Sequence, residues 1–302
     1  MAARQLRWIL FFEFLGYLFW GNWLRSHAGW TPGEVAWFVA GFFFGGRLLF
    51  VLTTFAISRP SSDPLPQDLR AGPLGALRMV MGEYLALCLL FTVVQPFERF
   101  WLGPDRLAHC AARPLPLLLI HGYQCNRGFW FWLRRKLEAA GWIVATHSLE
   151  PVYADIDSYS EGIARRIAEV LAATGAPQLI LVGHSMGGLA SRAYLRRHGT
   201  EKVARLVTLG SPHKGTHLAR LGLGPNARQM RVGSDWVHAL QAPLPPAAVS
   251  IYSLHDNYVY PQQACSTLEG ANNVAISGVG HLGMAFSPRV LGSLMEALEA
   301  SV

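Results

Sequence analysis

Residues Gln178–Ala190, QLILVGHSMGGLA, decide the fold. Leu179–Val182 is a short β-branched and leucine run of the kind that forms a buried strand, and Gly188–Ala190 opens a run suited to a helix. Between them Gly183-His184-Ser185-Met186-Gly187 fits Gly-x-Ser-x-Gly, a sharp strand-to-helix turn with serine at its apex. Gly183 and Gly187 answer a crowding problem, because side chains two residues either side of so tight a turn would collide with their neighbours. The turn lifts the Ser185 hydroxyl clear of the sheet and aims the free N–H groups of a helix N-terminus at developing negative charge. The five-residue pattern alone is common. Flanked by a buried strand and an Ala/Leu-rich helix it becomes specific.

The pattern repeats outward from this stretch. Strands are predicted at Leu115–Ile120, Ile143–His147, Val203–Leu209, Val249–Leu254 and Asn273–Ile276. Helices are predicted at Gly128–Ala140, Ser158–Ala173, Ser185–His198, Arg228–Leu240 and Pro288–Ala300. The Ser158–Ala173 segment puts Ile163, Ile167, Val170 and Leu171 on one face and is closed by Gly175. Strands alternating with helices of this length imply an α/β fold with a mostly parallel, doubly wound sheet, whose chemistry sits at the carboxyl ends of its strands.

Serine at its ordinary pKa is a poor nucleophile and needs a base, which in turn needs an orienting acid. In the strand–serine–helix class the chain order is Ser, Asp or Glu, then His. His281, in Gly278-Val279-Gly280-His281-Leu282-Gly283 after the last strand, fills the base position. His184 adjoins the serine but is expected to point away along the turn. His213, His217 and His255 precede or crowd the acid position. Asp256 follows strand Val249–Leu254 directly and is the candidate acid. Asp235 is its rival, read as a solvated helix residue, while Asp155 and Asp157 are read as caps of the helix near Ser158. Two N–H donors are needed for an oxyanion: Met186, after the serine, and Tyr123, in the loop His121-Gly122-Tyr123-Gln124-Cys125-Asn126, where Gly122 permits a sharp turn. His121 is expected to bond loop backbone.

The chain has 302 residues, 51% hydrophobic and 15% charged. Ordinary soluble enzymes carry about 25% charged residues. The apolar excess lies before Gly103, which divides the chain into an N-terminal membrane region (1–103) and a catalytic domain (104–302), the latter expected to fold from about Leu107 onward without the first hundred residues. Candidate spans are 8–24, 35–57 and 77–97, with tryptophans at their edges, the first being marginal in length against the roughly 20 residues a bilayer requires. Arg4 and Arg7 ahead of an apolar run, with Ser26-His27-Ala28 after it, resemble a signal peptide, but Glu13 in its core and two further apolar runs count against cleavage. Glu13, Arg47 and Glu83 lie inside these runs and are expected to pair with one another in the helix bundle or to mark a functional site. The formal charge of +7 is dispersed and nearly all arginine, with no basic helix face or aromatic-interleaved basic run, so nucleic-acid binding is excluded as the reading. Among Cys88, Cys110, Cys125 and Cys265 there is no ligand spacing for a metal, and no cofactor is implied. Cys125 and Cys265 should lie near the same face and could bond only in an oxidising compartment; free thiols are the expectation.

Taken together, Leu118–Asn126, the GHSMGG turn, Leu206–Thr216 (LVTLGSPHKGT), the Asp256 loop and the His281 loop resemble bacterial lipases and esterases of the α/β-hydrolase superfamily, over roughly residues 113–302. The resemblance implies carboxylic-ester hydrolysis through an acyl-enzyme on a lipid or acyl-ester substrate, with Tyr123 as oxyanion donor. The membrane region is no part of that family pattern and implies an enzyme held at the inner membrane. The positive-inside count, Arg4, Arg7, Arg59, Arg70 and Arg78 against Arg25, Arg99, Arg106 and Arg113, favours a catalytic domain on the periplasmic side. The insert from His217 to Pro246 is too short for a large lid but could carry a small flap of Leu218, Leu221 and Leu223. Acyl transfer, thioester or amide cleavage would use the same turn, and a catalytically silent membrane scaffold is the alternative of a different class.

Overall fold

Among the described residues six short strands assemble into one parallel sheet, whose inner members are buried on both faces and must be covered on both, while the edge strand Asn272–Ile276 is largely exposed. The structure, a computed structural model, describes residues 1–107, 113 and 115–300; Cys110 lies outside the described residues. The strands are β1 (Leu117–Ile120), β2 (Val144–His147), β3 (Leu179–His184), β4 (Val203–Leu209), β5 (Val249–Ser253) and β6 (Asn272–Ile276), in the order β2-β1-β3-β4-β5-β6. Ile120 pairs with Gly183, and Gly183 with Thr208, so the carboxyl ends of β1, β3 and β4 lie side by side.

The pleat sends alternate residues to opposite faces. Leu117, Leu119, Val182, Val207 and Ile251 meet α5 (Phe131–Ala139) and α11 (Pro288–Glu299), which follows the short α10 (Gln262–Ser266), in one hydrophobic cluster. Leu118, Ile120, Leu181 and Leu206 meet α6 (Ser160–Thr174) and α7 (Met186–His198) in the other. The predicted elements recur with small changes at their ends: the helix expected from Gly128 opens as a tight turn over Arg127–Trp130, and that expected from Ser158 as another over Ile156–Tyr159. One prediction is corrected. The helix expected over Arg228–Leu240 is two, α8 (Gly224–Gln229) and α9 (Asp235–Ala239), because Gly233 turns left-handed at φ 77 and Ser234 caps a new start.

The first hundred residues form α1 (Ala2–Ala28), α2 (Pro32–Ser58) and α3 (Pro73–Cys88). Helix α2 begins with a complete capping box between Thr31 and Glu34, with Pro32 at its first position. Helix α3 runs on through a wider-wound turn at Leu89–Val94 and a tight turn at Gln95–Phe97 into α4 (Glu98–Leu102). Among the described residues two stretches, Pro32–Ser61 and Pro73–Leu102, are long and apolar enough to cross a membrane. A third span, expected at 8–24, falls in the continuous helix α1 but is not among these two. Ala86 and Leu90 enter the same hydrophobic cluster as α5 and α11, so the apolar N-terminal segment and the sheet share core.

Candidate active site

Ser185 sits between β3 and α7 at φ 55 and ψ −127, a conformation that costs a side-chain-bearing residue about 1–3 kcal/mol. The strain is held by the Ser185 N–H, which donates to the Leu209 carbonyl on β4 at 2.9 Å. Backbone crowds this apex from both sides. A Cβ on Gly187 would drive into the carbonyl of Ile120, one on Gly183 would come within 2.6 Å of the Gly188 nitrogen, and one on Gly122 within 2.7 Å of the Ser185 Cβ. Met186 is the first residue of α7, so its N–H is outside the intrahelical ladder and free to meet an anion.

Asp256 lies three residues beyond the end of β5 and is buried. Its Oδ1 accepts from the N–H groups of Tyr258 and Val259, each at 2.8 Å. Its Oδ2 accepts from Nδ1 of His281, also at 2.8 Å, which leaves Nε2 as the basic nitrogen of that ring. The Tyr258 ring stacks on His281 with centroids 4.9 Å apart. Burial pushes the imidazolium down, but the charge and hydrogen bond of Asp256, with a smaller contribution from Glu83, win and raise the His281 pKa above its ordinary value. Ser185, His281, Gly122 and Tyr123 line one cavity of about 890 Å³. Within it no hydrogen bond joins the Ser185 hydroxyl to the His281 ring; such contacts often tighten only once substrate is bound.

The remaining histidines sort by their partners. His121 is buried, accepts from the Leu149 N–H on Nε2 (2.9 Å) and meets the Gly122 carbonyl with Nδ1 (2.8 Å), and burial pushes its pKa down to about 4. His184 does not point away from the site as expected. It stacks on Phe129 at 4.0 Å and sets Nε2 3.3 Å from the His281 carbonyl, neutral because burial, then the His281 charge, hold its pKa well below the ordinary value. His213 bonds Thr208, and His255 accepts from the Gly278 N–H. Asp235 is exposed at the start of α9, Asp155 caps the turn before α6, and Asp157 pairs with Arg196. The Tyr123 hydroxyl donates to the Leu223 carbonyl and accepts from the Leu223 N–H, both at 2.8 Å. Leu221 and Leu223 are exposed, so the insert is pinned beside the site and does not fold over it. Cys125 and Cys265 are free buried thiols, each pushed up to about 12 by burial.

What sequence reasoning missed is how the apolar N-terminal helices hold the loops of this site. Glu83 of α3, fully buried, accepts from the N–H groups of Leu282 (3.0 Å) and Gly283 (2.8 Å), the two residues after His281. Thr54 of α2 accepts from Asn257, whose Oδ1 accepts from the His281 N–H. Gln95 accepts from the Asn126 N–H at 2.7 Å and its carbonyl takes the Asn126 amide, fixing the loop that follows β1. Ser62 and Asp63 engage Gln262 and Gln263, and Gln262 donates in turn to the Asp256 carbonyl. The expectation of mutual pairing inside the bundle thus holds for Glu13 and Arg47, joined by two hydrogen bonds, but Glu83 goes to the backbone that follows His281. A carboxylate in an apolar run was the sole signal.

Residues 115–231 match a family model described as α/β hydrolase fold. Triacylglycerol lipases of Pseudarthrobacter phenanthrenivorans and Burkholderia plantarii are each 33% identical over 117 residues, covering 36% of this chain and 36% and 32% of their own lengths. The chain therefore spans about a third of these relatives. Among solved structures, Bacillus licheniformis lipase BlEst2 in mature form is similar at a TM-score of 0.56 and 18% identity, over 64% of this chain and 96% of that one. Aspergillus fumigatus lipase B is similar at 0.55 and 20% identity, over 62% and 53%. At those identities the likeness is one of fold. Strand order, the strained serine turn and the family match over residues 115–231 together give this chain an α/β-hydrolase fold.

Proposed function

We propose that this protein is a membrane-anchored serine hydrolase that cleaves carboxylic esters of lipid character through an acyl-enzyme. The observation that carries the reading is the buried Asp256–His281 hydrogen bond beside Ser185 on its strained turn. In this mechanism the Ser185 hydroxyl oxygen attacks the ester carbonyl carbon while its proton passes to Nε2 of His281. Asp256 stabilises the imidazolium that forms, and the N–H groups of Tyr123 and Met186 bind the oxyanion. Collapse of the tetrahedral adduct breaks the ester C–O bond, and His281 returns the proton to the departing alcohol. Water then repeats the sequence and frees the acid. The lipase names of the partial relatives support an ester substrate, and the two long apolar helices support an inner-membrane anchor. The arginine distribution of the sequence supports a periplasmic catalytic face.

The direct test is Ser185→Ala with p-nitrophenyl butyrate, where kcat should fall by a factor on the order of 10⁴ or more. A fluorophosphonate probe should label the wild-type chain at Ser185 and leave the variant unlabelled. Wild-type-like turnover by Ser185→Ala would sink the mechanism.

A further inference from the structure

The cavity of about 890 Å³ that contains Ser185 is only partly a feature of the α/β sheet and its loops. Its size is at the upper end of the roughly 300–1,000 Å³ of small-molecule sites. One end holds Ser185, Tyr123 and His281. Much of the remaining wall comes from α1, α2 and the α3 segment, among them Ile9, Gly46, Leu87 and Phe91. This wall is hydrocarbon and aromatic. The charged residues it contributes, Glu13 and Arg47, neutralise each other through hydrogen bonds of 2.9 and 2.8 Å, so it offers no unbalanced charge to an ionic headgroup.

The cavity also opens in an unusual direction. Trp8, Phe12, Phe42 and Phe50 line it, yet they are 54%, 62%, 64% and 50% exposed. Rings that line the cavity and remain uncovered outside mark its mouth, and that mouth lies on the apolar outer surface of α1 and α2. In water such a surface carries a hydration cost in proportion to its area. Among lipid tails it carries none. The opening therefore suits a guest that arrives from the hydrocarbon phase.

We propose that α1, α2 and α3 form the acyl-chain site of this enzyme. A long-chain lipid ester enters sideways from the bilayer between α1 and α2 and lays its tail against them with its carbonyl at Ser185. This rests on the ester-hydrolase reading and assigns its substrate class: long-chain esters resident in the membrane. The N-terminal helices then contribute chain-length selectivity as well as anchoring.

Gly46 gives a clean test. It lines the cavity, and apart from its own helix no atom lies within 4 Å of where its Cβ would stand, so there is open space for a larger side chain to start into the mouth. Gly45, its neighbour on the same helix, is equally open but is not in the cavity wall. The full-length chain in detergent micelles is assayed with p-nitrophenyl acetate and p-nitrophenyl palmitate. Gly46→Phe should lower kcat/KM for palmitate about tenfold or more while acetate stays within about twofold, the scale at which pockets discriminate by fit. Gly45→Phe should leave both substrates unchanged. Gly46→Leu serves if the Phe variant has a lowered thermal midpoint, and should shift the palmitate-to-acetate ratio in the same direction. An unchanged ratio in a Gly46 variant that keeps the wild-type midpoint, or an equal shift in Gly45→Phe, overturns the acyl site. A wild-type chain that hydrolyses neither ester and is not labelled by a fluorophosphonate overturns the ester-hydrolase reading itself, and the acyl site with it.

Discussion

At the residue scale, His281 governs how activity should depend on pH. The groups facing it are Asp256, Glu83, His184 and Tyr258. In the proposed mechanism only neutral His281 accepts the Ser185 proton, so kcat/KM should fall as pH drops through its pKa. Because Asp256 outweighs burial and raises that pKa above the ordinary 6.5, the acid limb should lie above pH 6.5. Asp256→Asn removes the charge responsible and frees the ring to adopt the wrong tautomer. We expect kcat to fall by about 10³–10⁴, with the residual activity titrating at lower pH than wild type. A limb that stays in place would show that Asp256 does not control the imidazole. Ser185, Asp256 and His281 could be proposed from sequence because each stands in a local pattern: a five-residue turn, the first carboxylate after a strand, a glycine-flanked histidine after the next. His184 departs from expectation for the opposite reason. Its direction is set by stacking on Phe129, 55 positions upstream by the difference of their numbers, and no local pattern records that contact.

At the scale of the element, α3 both helps cover the sheet and delivers Glu83 to the backbone after His281. A helix can present a carboxylate to two successive N–H groups only if its axis is fixed against that loop, and Ala86 and Leu90, one turn and two turns on, supply the fixing contacts in the core. Glu83→Ala would leave two buried N–H groups without acceptors, at about 1–3 kcal/mol each, and release the loop. We expect kcat to drop at least about tenfold with KM little changed, since Glu83 is a positioning residue that does not touch the ester. Glu83→Gln keeps one acceptor oxygen and should recover part of the loss. The readout that separates positioning from a general loss of stability is the rate of fluorophosphonate labelling at Ser185 under conditions where both variants are fully folded by circular dichroism. Equal labelling rates in wild type and Glu83→Ala would remove the role. The strands and helices were legible because periodicity and punctuation by glycine are local signals, as in Gly175 closing α6 at φ 70. The service of Glu83 to Leu282 spans 199 positions, and sequence showed only an ionisable residue where the bilayer or a core would penalise one.

At the scale of the whole molecule, the contacts between the first hundred residues and the sheet lead us to propose one folded unit rather than a tether and a separate domain. The boundary expected near residue 103 rests on a change of composition, which says nothing about which apolar surfaces face each other. The contacts reach three loops of the site. Gln95 holds the loop after β1, Thr54 and Ser62 hold the segment around Asp256, and Glu83 holds the turn after His281. Removing residues 1–106 would strip Ala86 and Leu90 from the cluster under α5 and α11 and uncover Phe129, Trp130 and Leu282, which are buried. It would also leave the N–H groups of Asn126, Leu282 and Gly283 without their acceptors in a largely apolar setting. Each such orphan costs about 1–3 kcal/mol, and a domain is stable by only about 5–15 kcal/mol in total, so three of them together with an uncovered core are enough to unfold it or leave it collapsed and sticky. A chain beginning at Leu107 should therefore aggregate when expressed alone. Whatever fraction stays in solution should react poorly with a fluorophosphonate, because the loops that carry His281 and Tyr123 have lost their supports. Co-expression of residues 1–106 as a separate membrane-inserted fragment should restore solubility and labelling together. A soluble, monomeric Leu107–Val302 chain labelled at the wild-type rate would show that the helices are dispensable to the site and serve only to anchor it.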